Sequence, residues 1–170
     1  MRVARVLVSA NAPSPWVPVN RLQQSFSVDL GVLFHTGASL TVKAQYTLDI
    51  LQPQTCTWTR SGTTLTVNLP NHGLSTADSV IAQELAAGLD GTYTPASIVD
   101  ANNFTLTVTD TGPLGGQGKF TPLRVFDHAS LTGLTARASG SLGSPVSAVR
   151  LIPTAYVSGI AELVVSQARG

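Results

Sequence analysis

Charge is scarce in this chain. Asp, Glu, Lys and Arg make up 11% of its 170 residues, against roughly 25% in an ordinary soluble protein. The formal net charge is +1 and the basic residues form no cluster, so the electrostatic footprint of nucleic-acid binding is missing. A surface so poor in charge tends to associate, which points to a surface partly covered by other subunits. Cysteine occurs once, at Cys56. That excludes an intramolecular disulfide and a cysteine-based zinc site, and leaves Cys56 as a small buried hydrophobe. Aromatic residues are 6%, few for the sugar groove of a glycosidase. No apolar run approaches the roughly 18 residues of a membrane helix, so no membrane partner is expected. "MRVARVLVSANA" has the arginines, apolar stretch and small residues of a secretory signal. Its apolar part, residues 6–10, is too short and contains a serine, so it reads as a strand.

What is present is β-forming. Hydrophobic residues are 43% of the chain, enough for a core, and the length fits one domain or two very small ones. The N-terminal strand places Ala4, Val6 and Val8 on one face and Val3, Arg5 and Leu7 on the other. "NAPSPWVPVN" carries three prolines and reads as an extended, non-laddered connection. Next, Phe26, Val28 and Leu30 alternate with Ser25, Ser27 and Asp29. After a tight turn at "TGA", Leu40, Val42, Ala44, Tyr46 and Leu48 alternate with polar residues. These two strands are expected to form a hairpin.

From about Thr55 the texture changes. Leu65, Val67 and Leu69 alternate with Thr64, Thr66 and Asn68, and "DSVIAQEL" reads as a strand. A helix over 75–88, with Ser75 as N-cap and Gly88 after its end, fits the same apolar residues, but the neighbouring strands favour a strand. Turns are expected at Asp90–Gly91 and at "ANN", and Phe104, Leu106 and Val108 mark another strand. "TGPLGGQGKFTP" reads as a flexible Gly/Pro connector and "LTGLTARASGSLGSP" as a loop. "VSAVRLI" and "GIAELVVSQA" are strands separated by "PTAYVSG". The expected fold is all-β, with about a dozen strands. A β-sandwich host of residues 1–53 plus 125–170 is interrupted by a small β-barrel-like module, 54–124. The N- and C-terminal strands are expected to lie together in the host sheet.

Several residues invite a catalytic reading. His72 is followed by Ser75, Thr76, Asp78 and Ser79. A hydrolase triad needs its members to converge in space, which residues three to six apart on one turn rarely do, and no G-x-S-x-G elbow is present. The preferred reading is structural: Asn71, His72 and Gly73 reverse the chain, while Ser75 or Asp78 bonds nearby backbone N–H groups. His35, His72 and His128 are far apart in sequence and form no metal-binding pair. Asp127 and His128 read as a surface hydrogen-bonding pair. Asp90, Asp100 and Asp110 sit at turns, where Asp bonds backbone. "GPLGGQGK" lacks the Ser or Thr that completes a phosphate loop. Trp16, on its Pro-rich arm, either docks into a neighbour's groove or folds back over its own sandwich, the second being preferred. No catalytic, metal or cofactor-binding residue is assigned, and no enzyme activity is expected.

The segment "GTTLTVNLPNHGLSTADSVIAQELAAGLDGTYTPASIVDANNFTLTV" resembles a small β module recurrent in tailed-bacteriophage tail and virion proteins. That module is similar to the first catalytic cysteine half-domain of ubiquitin-activating enzymes. The pattern runs through His72, Gly73 and Leu74, then Asp78, Ser79 and Val80. It continues with Leu89, Asp90, Gly91, Thr92 and Tyr93 and ends with Asp100, Ala101, Asn102, Asn103, Phe104, Thr105 and Leu106. Cys56 precedes the pattern and matches no catalytic cysteine, so no ubiquitin chemistry is implied. The flanking "FSVDLGVLFHTGASLTVKAQYTLDIL", "VFDHASL" and "VSAVRLIPTAYVSGIAELVVSQARG" also resemble small phage virion proteins. The resemblance implies a virion location and a non-enzymatic structural role. The expected role is a capsid decoration protein, with a neck, tail or baseplate component as the alternative. Its partners would be capsid or tail proteins and copies of itself, as a homo-oligomer for which a trimer is expected. A carbohydrate-binding adhesion sandwich is a third reading, which needs exposed aromatics among Trp16, Trp58, Tyr93 and Tyr156.

Overall fold

The computed structural model describes residues 2–20, 27–49, 51–85, 88–109 and 112–167. Phe26, Ser25 and Asp110, read above as strand and turn residues, lie outside them, as do residues 86–87 of the helical alternative. Among the described residues every regular element is a strand, in the order β1 (Arg2–Val8), β2 (Val17–Pro18), β3 (Val28–Phe34), β4 (Ser39–Thr47), β5 (Gln54–Ser61), β6 (Thr64–Asn68), β7 (Ser79–Gln83), β8 (Gly91–Tyr93), β9 (Ser97–Ile98), β10 (Asn103–Thr107), β11 (Gly115–Leu123), β12 (Val125–Asp127), β13 (Ala138–Leu142), β14 (Ala148–Ser158) and β15 (Ala161–Gln167). The fold is all-β. The chain divides into two compact units, Met1–Leu48 with Phe126–Gly170, and Asp49–Val125.

The first unit is a sandwich of two four-stranded sheets, ordered β1-β15-β3-β13 and β12-β4-β14-β2. Strand alternation builds its core: Val28, Leu30 and Val32 of β3 share one cluster with Leu40, Val42 and Ala44 of β4 and Leu163 and Val165 of β15. Each such fully buried aliphatic side chain stabilises the fold by about 1.5–3 kcal/mol. The chain ends do lie together, β1 pairing antiparallel with β15 from Arg2↔Gln167 to Val8↔Ala161.

Three expectations fail in this unit. β3 and β4 are not a hairpin, since they belong to different sheets. Their alternating apolar faces meet across the core rather than side by side, which buries both. The Pro-rich arm is laddered: β2 pairs with Ala148 and Val149 of β14. Ser14 N–H donates to the Leu151 carbonyl at 2.9 Å, and Val19 N–H to the Ser147 carbonyl at 3.0 Å. Prolines are tolerated because the arm lies at the sheet edge. Finally, "ASGSL" is β13, paired with β3, and β14 runs on through "PTAYVS" with register shifts at Pro153 and Tyr156.

The second unit is one seven-stranded sheet, ordered β8-β7-β11-β5-β6-β10-β9, curled around its own core. Trp58, Leu65, Val67, Phe104, Leu106 and Phe120 fill it, with Leu69, Leu74 and Leu89 added from the loops. The Gly-rich "connector" is β11, a central strand between β7 and β5. Its glycines admit large neighbours. A Cβ on Gly116 would lie 3.6 Å from the Trp58 ring, and one on Gly118 only 3.1 Å from Leu85. Glycine in a strand marks such close approach of other groups. The Asp90–Gly91 turn is also corrected. Neither residue has positive φ; between β7 and β8 the described residues that do are Glu84 (58°) and Gly88 (85°). Asp90 instead closes the loop, its carboxylate accepting from the Glu84 and Leu85 N–H groups.

Candidate functional site

The polar residues singled out in "LPNHGLSTADSV" occupy the connection from β6 to β7. Asn71 (φ 53°) and Gly73 (φ 62°) are both in the left-handed region and turn the chain on either side of His72. That conformation suits Gly, and Asn tolerates it better than most residues. His72 is buried, 8% exposed, with its ring edge-on to Phe104 at 5.1 Å. Its Nδ1 accepts from the Leu74 N–H at 3.0 Å. Nε2 therefore carries the proton and donates to the Asp100 carbonyl at 3.0 Å. Both ring nitrogens are spent on backbone.

The neighbouring hydroxyl and carboxylate are spent on each other and on backbone. Asp78 accepts from the Ser75 N–H at 2.7 Å and from the Ser75 hydroxyl at 2.8 Å. Its other oxygen accepts from the Val125 N–H at 2.8 Å. Asp78 is 7% exposed, and it fastens the turn to the backbone two residues past β11 through a part-buried bond. Thr76 is exposed and Ser79 is buried within β7. A nucleophile, a base and an orienting acid do not meet here: His72 turns its nitrogens to Leu74 and Asp100 and leaves the Ser75 hydroxyl to Asp78. Asp100 completes the arrangement. Its carboxylate accepts from the Asn103 side chain and from the Asn102 and Asn103 N–H groups. The Asn103 side chain first, then the Asn102 N–H, hold its pKa below the ordinary Asp value. The "ANN" turn is thus closed by Asp100, and neither Asn102 nor Asn103 uses positive φ.

The other titratable candidates are dispersed. His35 lies at the end of β3, half exposed, with Nε2 3.6 Å from Glu162; Glu162 also pairs with Arg5 at 3.0 Å. Asp127 and His128 do not form a surface pair. Asp127 accepts from Lys43 at 2.9 Å and from Gln45 at 2.7 Å. His128 is 6% exposed, with Nδ1 accepting from the Ser130 N–H at 3.3 Å. Among the described residues no three His, Cys, Asp or Glu side chains converge as a metal-ligand set. Cys56 is half-buried, and burial pushes its thiol up to about 11.

Three polar clusters, two of them buried and that of Arg124 exposed, went unnoticed in the sequence. Arg150 lies 4.4 Å beneath the Trp16 ring and donates twice to the Gln45 side chain; burial lowers its pKa to about 10. Trp16 therefore folds back over its own sandwich. Arg60, 7% exposed, donates to the carbonyls of Gly62, Gly112 and Pro113 and so pins the start of the Gly-rich strand. Arg124 chelates Asp49. Arg124 and Arg150 are lone cations in apolar stretches, but their acceptors Asp49 and Gln45 are far away in sequence, as are Gly112 and Pro113 for Arg60. An open groove of about 540 Å³ marks the outer face of the β1-β15-β3-β13 sheet, lined by Arg5, Asp29, Gly31, Leu33, Arg137 and Val164 among others. The four aromatics considered for sugar stacking have partners within the chain, and only Trp58 among them is buried; Phe126, 42% exposed, stacks on Tyr46. Trp58 is 2% exposed, Tyr93 is tied to the Leu89 carbonyl, Tyr156 to the Ser9 carbonyl, and Trp16 to Arg150.

These features define an all-β protein of two units, a two-sheet sandwich and a curled single sheet, whose conspicuous polar side chains close turns. No family model matches the chain, and no curated protein matches it. Among solved structures it is similar to the phage phi92 endosialidase, at 22% identity and a TM-score of 0.34. The alignment covers 48% of this chain and 15% of that one. The activity in that name belongs to that protein, of which this chain spans a small fraction.

Proposed function

We propose that this chain is a non-enzymatic structural protein of a tailed-phage virion, acting as a capsid decoration protein. The observation that carries the reading is the fate of its polar residues. His72, Ser75, Asp78 and Asp100, the residues of the module pattern with chemical potential, are each bonded to neighbouring backbone or to one another. The pattern from 72 to 106 then reads as the geometry of a turn-rich module, and its phage resemblance is the guide to context.

A charge content of 11% suits a surface covered by neighbours, because little charge has to be desolvated on assembly. Large apolar side chains stand exposed in both units: Val3, Leu7 and Val157 in the sandwich, Val99 and Leu114 in the curled sheet. A decoration protein stabilises the shell by binding only its assembled form, so its effect grows with occupancy. Quantitative mass spectrometry of purified particles tests the proposal. A copy number in the hundreds supports decoration, a single ring's worth places the chain in the neck or tail, and absence from particles overturns a virion role.

A further inference from the structure

Six strand edges end the three sheets, belonging to β1, β13, β12, β2, β8 and β9. Natural proteins blunt such edges by shortness, proline, charge or irregularity, because an open edge pairs with another strand. Five of the six are blunted. β2 and β9 have two residues each, and β2 ends in Pro18. β8 and β12 have three. β13 has five, and its sequence is the weakly strand-forming "ASGSL". β1 differs. It has seven residues, "RVARVLV", without proline; its Arg5 is neutralised by Glu162 of β15 at 3.0 Å, and its ladder with β15 runs unbroken from Arg2 to Val8. Among the described residues nothing bonds to the backbone on its other side. Its outward side chains include Val3 and Leu7, 47% and 52% exposed.

We infer that β1 is a dimerisation edge, pairing antiparallel with β1 of a second copy across a two-fold axis. The same edge meets itself under a two-fold, so the contact closes and does not polymerise. Opposed residues must share a face, which limits the register. Centring the pair on Arg5 sets two guanidinium groups directly opposite each other, an unfavourable like-charge pair. Centring it on Val6 removes that conflict. Val6 then faces Val6 of the second copy, Ala4 faces Val8, and Arg5 faces Leu7. The exposed Leu7 is covered by the aliphatic stem of the opposing Arg5, whose guanidinium keeps its bond to Glu162 of its own copy. The two sheets join into one continuous sheet. A two-fold contact differs from the trimer expected from the sequence. It rests on the edge alone, so it holds or fails for purified protein irrespective of any virion role.

Strand addition of this length buries a small area, so dissociation on the order of micromolar to tens of micromolar is expected. Sedimentation equilibrium of the purified chain reads it directly. Leu7→Lys, which opposes Arg5 with a like charge, is expected to weaken the dimer at least about tenfold. Leu7→Glu, which opposes it with a carboxylate, is expected to leave it unchanged or tighter. Leu7 lies opposite Glu162 of β15 in its own copy, so Leu7→Glu is expected to lower the unfolding temperature slightly and Leu7→Lys is not. The association of both is compared well below unfolding. In a Cys56→Ser background, Val6→Cys should oxidise to a disulfide-linked dimer, whereas Arg5→Cys, diagonal to its copy, should not. A monomer at hundreds of micromolar overturns the inference. So does a trimer indifferent to Leu7→Lys, or cross-linking through Arg5→Cys in place of Val6→Cys.

Discussion

Replacing His72 with alanine separates a structural histidine from a chemical one. The side chain receives one hydrogen bond from the Leu74 N–H and gives one to the Asp100 carbonyl, both at 3.0 Å. Each is worth about 0.5–1.5 kcal/mol net. Its edge-on contact with Phe104 at 5.1 Å adds about 0.5–1.5 kcal/mol, the range for aromatic pairs. Together His72→Ala should destabilise the second unit by about 2–4 kcal/mol. The assay is urea unfolding followed by Trp58 fluorescence. Trp58 sits in that unit's core, 2% exposed, and a Trp16→Phe background leaves it the only tryptophan. Because the chain has two units, a unit-specific probe is needed for two-state treatment. The midpoint should fall while the slope stays constant. A change below about 0.5 kcal/mol, the size of a neutral surface substitution, would refute the reasoning, because the turn would then not depend on His72.

Two further outcomes follow from the same unit. Gly118→Ala should destabilise it by about 1–3 kcal/mol through overpacking, since the new Cβ would lie 3.1 Å from Leu85 and 3.3 Å from Phe120. Gly116→Ala, with 3.6 Å to the Trp58 ring, should be tolerated, and the same urea titration compares them. Asp100 sets a pH dependence. Its folded pKa lies below the unfolded value of about 3.8, so its contribution is present above that value and is lost as pH falls through the folded one. Unit stability should therefore drop below pH 3.8 in the parent and less steeply in Asp100→Ala, as read by acid titration of Trp58 fluorescence.

The alternating strands were legible because each carries its own pattern. Leu40, Val42 and Ala44 announce β4, and Leu65 and Val67 announce β6, whatever surrounds them. Pairing was not legible. β3 and β4 look like a hairpin from the turn at "TGA", yet the apolar faces of both are satisfied by facing each other across the core. Glycine misled in the opposite direction. β11 and β13 carry turn-like composition, and the reason for it lies in residues remote in sequence: Trp58 and Leu85 against β11, His128 against Gly140. The turn at His72 was legible in outline, because Asn, His and Gly are local reversal signals. The partner of His72, the Asp100 carbonyl, is twenty-eight residues away and left no mark in the pattern. Arg150 and Arg60 were invisible for the same reason, since burial of a cation depends on acceptors that only folding brings near.

The central proposal is that the chain is a structural component of a tailed-phage virion. Cryo-electron microscopy of purified particles from its phage tests this most directly. The structural reading predicts density for the sandwich and the curled sheet at symmetric, repeated positions on the capsid shell. Particles that contain no copy of the chain would contradict it.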